Sequence, residues 1–256
     1  MSKYLFLLSV LLFSSVSFYS SAESQAIPVT KQSIAPSEKQ KLLGLPVYIR
    51  IIKEEHKLEL FVKNKNSYQH IRTYFICSYS GGLGPKKRQG DNKSPEGFYQ
   101  ITANSLNPNS KYYRAFNIGY PNKYDRAHGF TGNYLMIHGA CVSAGCYAMT
   151  DEQIAEIYQF VEAAMKNGQQ QVNINIFPFR MTTENMRRHQ DSEYQEFWQQ
   201  LKAGYDYFEA THQPPNISVV DGRYALAEPA LPQTQNMYAN NLSRNTEEFI
   251  GKFSYR

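Results

Sequence analysis

His138, Cys141 and Cys146 lie within the short stretch "LMIHGACVSAGCYAM", Leu135 to Met149, among small residues. An imidazole and two thiols this close admit three chemistries. A zinc site would use all three, with His128 as a further ligand. The spacing carries neither a Cys-x-x-Cys knuckle nor a paired His-x-x-x-His, so it fits zinc poorly. A structural reading buries His138 and pairs Cys141 with Cys146 or with Cys77. The first bond closes a small loop that is strained in many backbones. The second ties two strands together and leaves Cys146 free. The third reading makes Cys146 a nucleophile. Ser143, Ala144 and Gly145 let the chain turn tightly and let a carbonyl approach. The amides of Gly145 and Cys146 would face the developing oxyanion, and His138 at a strand end would take the thiol proton.

The compartment bears on that choice. Lys3 is followed by an apolar run from Tyr4 to Tyr19 and by Ser20, Ser21 and Ala22. This is the layout of a secretory leader cleaved after Ala22, and the run is short for a spanning helix, which needs about 20 apolar residues. No later segment reads as a membrane span. Removing 22 of 256 residues leaves 234, enough for one sizeable core or a core with an appendage. Three cysteines in an exported chain leave at least one thiol unpaired, a candidate for reactivity. The formal charge of +5 is spread out, and its densest cluster, Lys86 to Arg88, reads as a solvated loop rather than a nucleic-acid surface.

The elements that must hold the cluster are mostly strands. Residues 23–45 are polar and read as a linker. "PVYIRIIKEEHKLELFVK", Pro46 to Lys63, alternates apolar and polar residues on either side of "KEEH", a hairpin pattern. "HIRTYFICSYS", His70 to Ser80, is a further strand. Gly81 to Gly97 is too rich in glycine and proline for regular structure and reads as a long surface loop of the kind that often carries function. "FYQITA", "AFNIGY" and "YLMIHG" are three more short strands. Thr150 to Gln153 is a capping box, and Ile154, Ile157, Val161 and Met165 follow at helical spacing to Gly168. "QVNINIFPF" returns to strand. The span 46–178 is therefore predicted as a mainly β (α+β) sandwich with one long helix. Residues 179–226 add short helices, with Phe197, Trp198 and Leu201 as a docking stripe, and a hairpin turned at Asp221-Gly222. The polar segment 227–256 reads as disordered.

The motifs "IHG" and "SAGC", with "SPEGFYQI" ahead of them, resemble the signature of the L,D-transpeptidase (YkuD-type) catalytic domain. "YSGGLGPKKRQGD", "GYPNKYDRAHG", "LMIHGACVSAGCYAMTDEQI", "FPFRMT", "FWQQLKAGYDYFE" and "SVVDGRY" closely resemble its YafK-type subgroup, over roughly residues 40–226. The resemblance implies a β-rich L,D-transpeptidase fold, a periplasmic location, no metal or organic cofactor, and peptidoglycan containing meso-diaminopimelate as substrate. For the subgroup it implies an amidase that cleaves the bond between diaminopimelate and the C-terminal lysine of the major outer-membrane lipoprotein. Cys146 matches the family's nucleophile, His138 its base and Gly145 the preceding glycine. Departures are the seven-residue spacing between base and nucleophile, shorter than usual, and Ala144 and Ala148 where many members carry polar residues. The short spacing makes His128, 18 residues upstream of Cys146, a rival base. Arg126 and Tyr124 are candidates for a diaminopimelate carboxylate, Arg126 through a two-pronged contact or else as a structural ion pair with Asp125. Ser143 is read as orienting the loop or the substrate, or as plain turn chemistry.

Overall fold

The computed structural model describes residues 34–227. The expected leader and nearly all of the polar tail lie outside the described residues. The predicted hairpin is present: β1 (Val47–Ile52) and β2 (Lys57–Asn64) pair antiparallel with Ile51 opposite Leu58. With β3 (Ser67–Phe75), β4 (Gly97–Ile101) and β9 (Val172–Phe177) they form a five-stranded sheet in the order β3-β2-β1-β9-β4. A second sheet runs β5-β6-β7-β8, from β5 (Leu106–Ser110), β6 (Tyr113–Asn117), β7 (Met136–His138) and β8 (Tyr147–Ala148). Two of these strands escape the sequence pattern. β5 contains Pro108 between two asparagines, a composition poor in strand formers, but at a sheet edge the missing proline N–H costs no ladder bond. β8 has two residues, too few for any alternation.

The two sheets and one helix share a core. Val47, Ile49 and Ile51 of β1 meet Phe116, Ile137 and Tyr147 of the second sheet and Ile154, Ile157 and Val161 of α3 (Asp151–Lys166) in one buried cluster. The capping box at α3 forms as expected, with Gln153 N–H donating to Thr150 Oγ1 at 3.3 Å.

The opposite face of β1 is also buried, which simple alternation does not foresee. Tyr48, Arg50 and Ile52 lie beneath residues of the C-terminal extension. That extension comprises α4 (Thr183–Arg188), α5 (Gln195–Thr211) and the hairpin of β10 (Ile217–Val220) and β11 (Arg223–Leu226). Of its expected short helices, α5 is a single helix of 17 residues, so the chain has a second long helix. Tyr48 packs on Phe208 with ring centroids 4.7 Å apart, and Arg50 Nη1 reaches Glu209 Oε1 at 2.5 Å. Gly204 lets α5 pack closely on β4: a β-carbon there would stand 2.5 Å from the Phe98 ring. Ile52, Phe177, Trp198, Leu201 and Tyr224 form one cluster, so the extension is packed into the strand domain. The expected linker also shortens. Within it, α1 (Pro36–Leu42) forms, and Leu42, Leu43 and Leu45 pack on the main core. No described helix is long and apolar enough to cross a membrane.

The glycine-rich loop 81–97 is irregular but fixed. Lys53, fully buried, reaches Glu96 Oε1 at 3.0 Å and the Ser94 carbonyl at 2.9 Å. Glu96 also accepts from the Gly84 amide at 2.7 Å and from Trp198 Nε1 at 2.8 Å. A second anchor is Asp91, which takes Lys86 Nζ and the amides of Lys87, Arg88 and Lys93. Burial alone would raise its pKa, but Lys86 and these amides outweigh that effect and hold it at about 2. Lys86 is thus a buried structural cation, 4% exposed, contrary to its reading as part of a solvated run.

Lys53→Met would strand the Glu96 carboxylate without its cation. The expected loss is about 3–5 kcal/mol, seen as a lower urea midpoint at unchanged slope; a loss under about 1 kcal/mol would show that the pair does not hold the loop. A disulfide joins Cys77 and Cys141 across 64 residues of chain. On the chain-entropy argument its reduction removes about 4 kcal/mol, read as a fall in Tm on adding a phosphine reductant.

Candidate active site

Cys146 is the free cysteine, since the Cys77–Cys141 bond takes the other two. That bond also removes Cys141 from any zinc set. The thiol lies at the end of a connection between two parallel strands, β7 and β8, with Ile137 opposite Tyr147 and His138 opposite Ala148. Parallel neighbours ordinarily need a crossover of about a dozen residues or more. Here residues 139–146 suffice because the loop is tightly folded. Ala140 and Cys141 are consecutive left-handed residues, at φ 65° and 50°, and Gly145 lies at φ 107°. The Ala140 amide donates to Asp151 Oδ1 at 2.8 Å, and the Cys141 amide to the Met149 carbonyl at 3.1 Å. The disulfide ties the same loop to the end of β3.

Ile137 and Tyr147 both lie in the core cluster and His138 pairs with Ala148, while Cys146 occupies the bend just ahead of β8 and makes no hydrogen bond to His138. The Cys146 thiol donates to the Tyr134 carbonyl at 3.8 Å, and the Met136 amide and Lys86 act on the sulfur from nearby. His138 is 2% exposed and stacks on Tyr112 with centroids 4.7 Å apart. Its Nδ1 is 2.6 Å from the Gly139 carbonyl. A carbonyl only accepts, so Nδ1 carries the proton and Nε2 keeps its lone pair for a proton to be received.

Both groups rest uncharged at neutral pH. Burial raises the Cys146 pKa, and the Met136 amide and the Lys86 cation only partly offset it. Burial lowers that of His138 against the opposing Gly139 hydrogen bond. Neither shift favours a standing thiolate–imidazolium pair.

Other residues join the site from the sequence motifs. Ser143 Oγ donates to the Cys146 carbonyl at 2.7 Å, and Ser94 Oγ donates to the same carbonyl at 3.1 Å. Ser94 was legible only as part of "SPEG"; its contact is made across 52 residues of chain. Tyr147 Oη bonds the Pro95 carbonyl at 2.6 Å, so the glycine-rich loop is pinned at two points, to Cys146 and to the start of β8. Tyr112 and Tyr134 carry no motif. Tyr134 is 69% exposed, and with exposed Tyr113 and Val142 it gives this region apolar surface.

Tyr124, Arg126 and His128 sit together on α2 (Lys123–Ala127) and its cap, an element that Asn122 and Asp125 specify as a second capping box. Tyr124 is buried and stacks on Tyr224 at 4.3 Å. Arg126 is exposed and bonds the Pro121 carbonyl, not Asp125. His128 Nδ1 bonds the Tyr124 carbonyl at 2.9 Å and its ring lies 4.1 Å from Tyr124. None of these contacts is with Cys146 or His138.

The profile of the L,D-transpeptidase catalytic domain (YkuD) matches residues 46–174. The chain is 55% identical over 231 residues to "Putative L,D-transpeptidase YafK" of Escherichia coli strain K12, covering 90% of this chain and 92% of that protein, and equally to its counterpart in strain O157:H7. In shape, the crystal structure of the helical cell shape determining protein Pgp2 from Campylobacter jejuni aligns over 72% of this chain and 77% of its own, at 17% identity and a TM-score of 0.44.

Iodoacetamide should alkylate Cys146 alone in the unreduced protein. Because burial raises its pKa, the rate should climb through a midpoint above that of an ordinary thiol, about 8.5. Mass mapping across a pH series checks this, and a midpoint below neutrality would show a standing thiolate instead.

Proposed function

The chain belongs to the L,D-transpeptidase (YkuD) catalytic-domain family, whose members act on peptidoglycan, and from that premise we propose that it is a cysteine amidase of the cell wall. Its substrate would be the amide joining meso-diaminopimelate to the C-terminal lysine of an outer-membrane lipoprotein, met in the periplasm. The observation that carries the enzymatic reading is that Cys146 is the free cysteine, just ahead of the strand that pairs with the one ending in His138, whose Nδ1 is already committed. Restriction to hydrolysis, and to this link, rests on the motif resemblance.

The steps follow from the groups present. Cys146 passes its proton to His138 Nε2 as the sulfur attacks the diaminopimelate carbonyl. Backbone amides at Gly145 and Cys146 receive the oxyanion, a placement that the glycine-only φ of Gly145 serves. The imidazolium returns the proton to the departing lysine amine, leaving a thioester. Water, deprotonated by His138, attacks the thioester and releases a carboxylate and the thiol. Tyr124, Arg126 and His128 are kept in this reading as substrate-side groups.

The family name keeps a second outcome in view, in which an amine in place of water resolves the thioester and a crosslink or attachment forms. Incubating purified protein with lipoprotein-linked wall fragments separates the two by product mass. Free lipoprotein without new crosslinks is expected. Cys146→Ala should abolish release, and His138→Ala should slow it by about 10²–10⁴-fold. New crosslinks would make the protein a transpeptidase. Release that survives Cys146→Ala would remove the nucleophile from the scheme.

A further inference from the structure

The turn of the β5–β6 hairpin lies against His138 and Gly139, and it brings one side chain into direct contact with the imidazole. We propose that this residue, Tyr112, is a positioning residue for the base: its ring holds the His138 imidazole in one plane and one tautomer for proton transfer. The assignment rests on the reading of His138 as the base.

Geometry is the first argument. The two rings stack with centroids 4.7 Å apart and planes 28° from parallel. The imidazole's hydrogen bond, between Nδ1 and the Gly139 carbonyl at 2.6 Å, fixes one edge of the ring and leaves its plane free to tilt. A stacked face removes that freedom. Together the two contacts define where Nε2 points, and a base misplaced by about 1 Å loses much of its effect.

The second argument is that the backbone builds this contact. The Gly139 amide donates to the Tyr112 carbonyl at 3.1 Å and to that of Arg114 at 3.3 Å. A β-carbon at residue 139 would stand 2.9 Å from the Tyr112 carbonyl oxygen and 2.4 Å from Asp151 Oδ1, so only glycine admits the hairpin turn here. Gly139 thus holds both the Nδ1 hydrogen bond and the stacking partner. On its other side, the Tyr112 amide donates to Ser110 Oγ at 3.1 Å, and β6 sets Ala115 opposite His138. The third argument is charge. A tyrosine ring would ordinarily welcome an imidazolium, but Lys111 Nζ already lies 4.9 Å from the centre of this one. A second cation on the same ring is disfavoured, so the neutral imidazole is the better partner. The other charged groups nearby are engaged elsewhere: Arg114 lies over the Tyr113 and Tyr158 rings, and Asp151 takes the Ala140 amide.

The test compares the wild type with Tyr112→Phe and Tyr112→Leu. Release from lipoprotein-linked wall fragments gives kcat and KM, and nitrogen-15 NMR follows the six histidines, with His138 identified by its loss in His138→Gln. Tyr112→Leu should lower kcat by about 10–100-fold with KM little changed. Its His138 should show mixed tautomers and a titration midpoint moved up toward that of an ordinary histidine, because water reaches the ring. Tyr112→Phe keeps the aromatic face and should match the wild type in all three. Tyr112→Met carries the same expectations as Tyr112→Leu and stands in if that variant does not fold. Normal kcat with an unmoved His138 titration, a rise in KM alone, or Tyr112→Phe as impaired as Tyr112→Leu would each overturn the proposal. Wall fragments left intact by the wild type would refute the amidase reading, and the tautomer and titration of His138 would then decide the role of Tyr112 by themselves.

Discussion

The arrangement depends on one short connection. β7 and β8 run parallel and adjacent, yet only residues 139–146 join them. Without a helix to carry the chain back, the loop must reverse within a few residues, using two left-handed positions and a glycine-only one. Such a loop persists only when its surroundings over-determine it. The surroundings are the disulfide to Cys77, the Asp151 carboxylate at the start of α3 and the Met149 carbonyl.

Around that connection the molecule is a set of braces. Ser94 and Pro95 tie the glycine-rich loop to Cys146 and Tyr147, and Lys53 with Glu96 ties that loop to β1 and, through Trp198, to α5. A buried ion pair is a poor source of net stability but a strict geometric constraint, since either partner alone is an uncompensated charge. The C-terminal extension thus reaches the thiol's neighbourhood through one carboxylate. The same burial sets the chemistry. It raises the Cys146 thiol pKa and lowers that of the His138 imidazole, which favours the neutral form of each.

Sequence reading captured most of this architecture where the pattern was periodic. The first hairpin, α3 with its capping box, and the Asp221-Gly222 turn, whose residues both have positive φ, form where expected. It failed where tertiary contacts replaced the pattern. β8 is too short to alternate, β5 hides behind a proline at an edge, and β1 is buried on both faces because α5 covers the second one. Lys86 looked like a solvated charge because a run of basic residues says nothing of an aspartate folding back five positions later.

The sequence by itself determined the residue chemistry: an odd third thiol, an imidazole at a strand end, a glycine before Cys146 and the family they spell. Three-dimensional packing decided which thiol stays free, which nitrogen of His138 is committed, and that burial favours the neutral form of each. Those outcomes depend on contacts between positions tens of residues apart, such as Cys77 with Cys141, and on burial, which no local pattern encodes.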